Sequence, residues 1–191
     1  EEMAKTLEEY KPDFVCFSFT TPLFKECCEY AKFVREKLPS AKIIAGGVHP
    51  TIYPEEVLEK SEADIAVIAE GDFILPAVVA AGDDLEKLKE IKGIAFKDKN
   101  KEIIKTPRAS GVENMDDLPL PAWQLLPVKK YKMPKIMTKK NPVGTMETSR
   151  GCLAACTYCN KTVFGRKWGG KSAKRVVDEL EYMQKCGFNE I

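Results

Sequence analysis

The segment FVCFSFTT, residues 14–21, is the part of the sequence that decides the fold. Its aromatic and β-branched residues predict a buried β-strand, and small polar residues follow where that strand ends. Two later segments repeat this arrangement, AKIIAGG at 41–47 and IAVIAEG at 65–71. They predict strands over 41–45 and 65–69, each followed by glycine or a polar residue.

Helical patterns lie between these strands. Apolar residues recur at helical spacing over 1–10 and again between Pro22 and Pro39, and residues 54–60 and 72–81 are also predicted to be helical. A chain that alternates helices and strands in this way forms a parallel sheet covered on both faces. The predicted fold class is therefore α/β.

Two further parts follow the third strand. Residues 91–96 and 102–105 flank a turn sequence and predict a hairpin appended to the sheet. Six prolines punctuate residues 107–142, and six lysines fall between Lys129 and Lys140. We interpret 107–142 as a linker that wraps over a neighbour. The lysine run at 129–140 could meet an acidic partner such as RNA, but a solvated linker is favoured, because apart from Tyr131 this run has no interleaved aromatic residues for stacking on bases.

Regular patterning resumes at residue 143. A strand is predicted at 143–148, a helix at 172–185 and the start of another strand at 187–191. These elements make one β/α unit and the beginning of a second. The expected domains are thus 1–106, the linker 107–142, and 143–191.

Composition limits the possible functions. The chain has 191 residues, 44% of them hydrophobic, with 30 Lys+Arg against 29 Asp+Glu. This balance does not favour nucleic acid or an anionic membrane as the main partner. No apolar run approaches the roughly 18 residues of a membrane-spanning helix, and no secretory signal opens the chain. Because the sequence starts at Glu1 and stops at Ile191, at the start of an apolar run, we expect an internal fragment of a longer protein.

The seven cysteines favour metal binding over disulfides. An odd count without an export signal fits a reducing, cytoplasmic location, where clustered cysteines bind metal. Four of them stand apart from the cluster and are predicted to be small core or helix residues: Cys16, Cys27, Cys28 and Cys186.

Cys152, Cys156 and Cys159 form a C-x3-C-x2-C motif. This spacing lets three thiolates converge on one small group from a single loop. Three ligands are one fewer than a [4Fe–4S] cluster usually has, which leaves one iron open to a substrate or cofactor. The alternative is a structural zinc site, but that needs a fourth ligand, and the candidates, Cys186 and the sole histidine, His49, lie far away in sequence.

Together with the aromatic Tyr158, this motif resembles that of the radical S-adenosylmethionine (SAM) superfamily. The resemblance implies that residues 143–191 are the start of a radical SAM (β/α) barrel. It implies that the three cysteines hold a [4Fe–4S] cluster whose open iron binds SAM. It also implies one-electron cleavage of SAM to methionine and a 5′-deoxyadenosyl radical, with the electron delivered by a donor such as flavodoxin or ferredoxin. Tyr158 would contact the adenine of SAM.

The predicted strand ends form a second constellation. The carboxyl edge of such a sheet is where ligands bind, and small residues there admit a flat ligand close to the backbone. The residues in question are Ser18, Thr20, Gly46, Gly47, His49, Glu70 and Gly71.

These residues, with DDLPLPAW at 116–123, resemble the flavodoxin-like cobalamin-binding domain that precedes many radical SAM domains. The group of proteins that this sequence resembles contains the anaerobic magnesium-protoporphyrin monomethyl ester cyclase and cobalamin-dependent radical SAM methyltransferases. It implies that Ser18, Thr20, Gly46 and Gly47 line the pocket for the nucleotide tail of cobalamin. His49 is either a further contact or a loop residue that fixes a turn, and Glu70 is either a pocket-edge residue or a polar strand end.

The resemblance implies an enzyme that methylates or rearranges a small-molecule substrate by radical chemistry. One departure is that no D-x-H-x-x-G motif, the cobalamin family's axial-ligand loop, occurs in residues 1–191. Two alternatives therefore stay open: a radical SAM enzyme whose first domain binds no cobalamin, and a non-catalytic corrinoid- or zinc-binding module.

Overall fold

The structure is a computed structural model that describes residues 2–191, and its chain divides into two compact units. The first contains the described residues up to Val112 together with Cys156–Gly165, and the second contains Glu113–Ala155 and Arg166–Ile191. Within 2–191, no helix is both long enough and apolar enough to cross a bilayer.

A five-stranded sheet forms the centre of the first unit. Its strands lie in sequence order: β1 (Phe14–Ser18), β2 (Lys42–Gly46), β3 (Ile65–Val67), β4 (Ile94–Lys97) and β5 (Ile103–Lys105). β1, β2 and β3 are parallel, whereas β4 and β5 are an antiparallel hairpin paired to β3. The predicted α/β class and the appended hairpin are confirmed, and the hairpin extends the main sheet.

Helices cover both faces of this sheet. The first unit contains α1 (Glu2–Tyr10), α2 (Phe24–Lys37), α3 (Val48–Ile52), α4 (Pro54–Lys60), α5 (Ile74–Ala81) and α6 (Leu85–Glu90). Buried side chains of α1, α2 and α4 share one apolar core with Ile43 and Ala45 of β2. Buried side chains of α5 and α6 share a second core with Ile44 of β2. Ile44 lies between Ile43 and Ala45 in the strand, and successive side chains of a strand point to opposite faces of the sheet.

β1 is less buried than its sequence predicts. In the described chain it pairs with β2 alone, so it is an edge strand of the sheet. Cys16 and Ser18 are exposed, while Phe14, Val15 and Phe17 are half-buried. The prediction of Cys16 as a core residue is therefore wrong, since an apolar run does not distinguish an edge strand from a central one.

The second unit pairs two short strands beside one long helix. β6 (Ser149–Gly151) is antiparallel to β7 (Trp168–Gly170), and α7 (Ala173–Lys185) begins at the capping side chain of Ser172. The strand predicted at 143–148 is wrong, because only Val143 pairs, in a parallel bridge to Glu190.

The segment predicted as a linker has a packed core in this unit. It contains three short 3-10 helices, Met115–Asp117, Trp123–Leu125 and Val128–Lys130. Trp123 and Val128 pack with Met183 and Phe188, and the Trp123 and Phe188 rings meet edge to face at 5.3 Å between centroids. Residues 113–142 are therefore part of a folded unit.

Candidate cofactor-binding sites

The parallel strands bring the predicted sheet-edge residues to one side of the sheet. Ser18 pairs in register with Gly46, so β1 and β2 end at the same level. Beyond them, the Phe19 amide donates to the Gly46 carbonyl at 3.1 Å, and the His49 amide donates to the Phe19 carbonyl at 3.2 Å. The side chains of Ser18 and Thr20 are exposed at this edge, where a ligand can reach their hydroxyls.

The two glycines that follow β2 have different roles. Gly47 has φ +94°, and a Cβ built there would lie 2.8 Å and 2.9 Å from the backbone N and O of Phe19. The chain itself therefore requires glycine at 47, because only glycine adopts this backbone conformation without strain. At Gly46 the nearest atom to a built Cβ is the Phe17 carbonyl oxygen at 3.9 Å, so the missing side chain leaves room beside the backbone.

Thr51 joins the second and third strand-end loops, a role that sequence reasoning missed. Its buried hydroxyl donates to the Gly47 carbonyl at 2.7 Å and accepts from the Ala69 amide at 2.9 Å. Both bonds are made away from water, where an unsatisfied amide or hydroxyl is costly. Thr51 thus fixes the separation of the two loops, and only its position in the folded chain reveals this.

His49 lies inside an aromatic cluster. Only 2% of the residue is exposed, and its ring lies 4.3 Å from Phe24 and 5.4 Å from Tyr53 between centroids. Its Nδ1 is 3.2 Å from the hydroxyl of Thr21, and its Nε2 is 4.0 Å from a carboxylate oxygen of Glu56. Burial lowers the pKa of His49, and the nearby Glu56 carboxylate opposes this effect only in part. The lowered pKa favours the neutral ring. This position suits a residue that supports the edge loops from inside.

Glu70 and Gly71 follow β3 at the same edge, and both are half-buried. The Glu70 carboxylate accepts a hydrogen bond from the Val112 amide at 2.6 Å. A Cβ at Gly111 would lie 3.0 Å from that carboxylate, so residues 111 and 112 run directly beside it. Glu70 therefore anchors the chain that leaves the hairpin, in addition to its place at the edge.

Gly151 turns the chain from β6 into the cysteine segment. Its φ is +83°, and a Cβ there would lie 2.0 Å from the Lys167 carbonyl oxygen. No other residue could approach β7 this closely, which explains why glycine stands directly before Cys152. The neighbouring Arg150 forms an ion pair with Glu147.

The three motif cysteines are free and exposed. Cys152 belongs to the second unit, whereas Cys156 and Cys159 belong to the first, where the Cys159 amide donates to the Cys156 carbonyl in a turn. In residues 2–191 no three Cys, His, Asp or Glu side chains stand close enough to hold a metal ion.

The donor set nevertheless fits an iron–sulfur cluster. Three free thiols stand in a segment without helix or strand, in which each residue from 152 to 160 is exposed. Such a segment can close on a cluster without loss of a packed core, and thiolates are the ligands that iron–sulfur clusters take. Tyr158 is 91% exposed, so its ring is free to stack on a ligand.

Comparison with known proteins adds independent findings. Residues 1–79 match the B12 binding domain family. The whole chain is 31% identical to an uncharacterized methyltransferase, PH0819, of Pyrococcus horikoshii, and 95% of it is 31% identical to the anaerobic magnesium-protoporphyrin IX monomethyl ester cyclase of Cereibacter sphaeroides. The chain spans 41% and 29% of the lengths of these relatives.

A solved structure has the same fold. The cobalamin-dependent S-adenosylmethionine radical enzyme OxsB, with aqua-cobalamin and S-adenosylmethionine bound, superposes with a TM-score of 0.73. The match covers 97% of this chain and 25% of OxsB at 24% identity, and at that identity it shows the fold alone.

These findings place residues 1–79 with the B12 binding domain family and show that the chain has the fold of the matching part of OxsB. The predicted resemblance is confirmed: the chain is related to the radical SAM proteins that carry a cobalamin-binding domain, the group of the magnesium-protoporphyrin cyclase and the cobalamin-dependent methyltransferases.

Proposed function

We propose that this chain is the cofactor-binding part of a cobalamin-dependent radical SAM enzyme that methylates or rearranges a small-molecule substrate. The observation that carries the proposal is the presence of three free thiols, at Cys152, Cys156 and Cys159, in a chain whose residues 1–79 match a B12 binding domain. A [4Fe–4S] cluster held by these thiols would supply one electron for SAM cleavage, received from a donor such as flavodoxin or ferredoxin.

The residues of this chain would bind and orient the cofactors. The exposed Tyr158 ring would stack on the adenine of SAM. The hydroxyls of Ser18 and Thr20 and the open space beside Gly46 would receive the nucleotide tail of cobalamin. Gly47, Glu70 and Gly71 would complete this pocket edge through their backbone, with His49 as its internal support.

Iron analysis tests the cluster assignment. After anaerobic reconstitution, the full-length protein should hold about four irons per chain. Cys152→Ala, Cys156→Ala and Cys159→Ala should each abolish SAM cleavage, because every variant removes one of three ligands. Cys16→Ala is the matched control, since it removes an exposed thiol outside the motif and should leave iron content unchanged. Near-normal cleavage by any of the three motif variants would refute the assignment.

Corrinoid retention tests the other cofactor. The full-length protein, grown with ample cobalamin, should carry corrinoid absorbance through gel filtration. A protein that retains no corrinoid yet cleaves SAM would show that its first domain is degenerate, and the function would reduce to cobalamin-free radical SAM chemistry.

A further inference from the structure

The segment after β5 is fastened to the sheet unit at both ends, and we name residues 106–112 the strap. At its start, the buried Thr106 hydroxyl donates to the Ile94 carbonyl and accepts from the Ile94 amide, both at 3.1 Å. The Gly93 amide also donates to the Pro107 carbonyl at 2.8 Å. At its end, the Val112 amide is held by Glu70 at 2.6 Å.

Arg108 projects from the strap to the cysteine segment. Its Nη2 donates to the carbonyl of Thr162 and, at 2.6 Å, to that of Val163. These carbonyls stand three and four residues after Cys159, and both partners belong to the first unit.

The chain beyond Cys159 also has its own local order. Asn160 accepts a hydrogen bond from the Thr162 amide at 2.8 Å, and the Gly165 amide donates to the Lys161 carbonyl at 2.7 Å. These bonds make a turn, but they lie within 160–165 and do not connect it to the sheet. The Arg108 bonds supply that connection.

We infer that Arg108 is a positioning residue that holds the segment after Cys159 against the sheet unit. The same strap is tied to Glu70 at the carboxyl edge, so the proposed corrinoid edge and the proposed cluster segment share one support. The inference rests on the proposed function for its purpose, but the contact itself is measurable without it.

Hydrogen exchange of the anaerobically reconstituted full-length protein tests this role. In Arg108→Gln the amides of Thr162 and Gly165 should exchange about threefold to tenfold faster, since hydrogen bonds from a charged donor at an exposed site are lost. Arg108→Lys should recover part of the protection, because an ammonium still donates to a carbonyl. Arg166→Gln is the control: it removes a nearby exposed positive charge and should leave exchange unchanged.

Strands β2 and β4 should exchange at the wild-type rate in all three variants. Wild-type exchange at 160–165 in Arg108→Gln would overturn the inference, and so would an equal rise throughout the sheet, which would indicate general destabilisation. Iron content, measured on the same samples, reports separately on the proposed function. A wild-type protein without iron would refute that function, while the exchange comparison would still decide the role of Arg108.

Discussion

Replacement of Gly47 by alanine should destabilise the first unit, and replacement of its neighbour Gly46 should not. Gly47 has φ +94° and ψ −163°, a region that is essentially restricted to glycine. Strain of this kind costs about 1–3 kcal/mol. The new Cβ would also lie 2.8 Å from the Phe19 nitrogen, and Phe19 is itself hydrogen-bonded to Gly46 and His49. Backbone movement that relieves this clash should loosen the carboxyl edge of the sheet. We therefore expect Gly47→Ala to lower the free energy of unfolding by about 2–4 kcal/mol in total.

Gly46→Ala provides the matched control. Its Cβ would meet nothing nearer than the Phe17 carbonyl oxygen at 3.9 Å, an ordinary contact, so stability should change by no more than about 0.5 kcal/mol. Urea unfolding of both variants, followed by circular dichroism, measures the difference. Equal stability of the two variants would refute the reasoning.

The same pair of variants separates two explanations for loss of corrinoid. If alanine at 47 only fills the pocket, the variant should lose corrinoid at wild-type stability. The contact with the Phe19 backbone predicts instead that stability and corrinoid retention fall together. At Gly46 the open side admits a side chain without strain, so Gly46→Ala should weaken corrinoid binding while the fold is preserved.

Three further predictions concern other residues. Tyr158→Ala should weaken SAM binding by about 1–3 kcal/mol in equilibrium dialysis with iron content unchanged, and wild-type affinity would remove Tyr158 from the site. Burial lowers the pKa of His49 in the folded protein below its ordinary 6.5. As the pH falls through 6.5, His49 is therefore protonated in the unfolded chain before it is protonated in the folded protein, and the folded protein loses stability. In His49→Leu the urea midpoint should depend less on pH below 6.5 than in the wild type. An equal fall of the midpoint with pH in both proteins would contradict this prediction. Glu179→Gln should lower the free energy of unfolding by about 3 kcal/mol, because Glu179 is 1% exposed and forms an ion pair with Lys171 at 2.6 Å. A loss below about 1 kcal/mol would contradict this prediction.

The sequence predicts the elements that have a strong local pattern. The strand predicted at 41–45 becomes β2, one residue further along the chain, and the helix predicted at 54–60 becomes α4. Helix α3 was not predicted, since it contains Pro50 and follows Gly47 directly. It begins where the His49 amide bonds to the Phe19 carbonyl, a contact between distant parts of the chain. Local propensity does not contain such contacts.

Pairing of the short strands is equally hidden. Residues 143–148 have a pattern typical of a strand, yet pairing occurs at β6 instead. It depends on Gly151, whose conformation lets the backbone approach the Lys167 carbonyl. The sequence shows the glycine, but not which strand it meets.

The motif DDLPLPAW acquires a physical role from the structure. The Ser172 amide donates to the Asp116 carboxylate at 2.8 Å, and Arg175 donates to the Leu118 carbonyl at 2.6 Å. These bonds hold the motif at the first turn of α7. The same turn positions Lys171 and Arg175 beside the buried Glu179. These contacts hold the motif within the second unit.

The candidate sites contain two kinds of residue. Some would contact a cofactor directly, and others hold the contacting residues in place. Some of the first kind stand together in sequence, as Cys152, Cys156 and Cys159 do, and such a spacing can be found in a sequence. The second kind reach across the fold: Thr51 bonds to a residue 18 positions away, and Arg108 to one 55 positions away. No local pattern marks such residues, since neither the threonine nor the arginine indicates a role until its partner is known. Substitution of these holding residues should therefore alter where the cofactors sit while the ligand set itself stays complete.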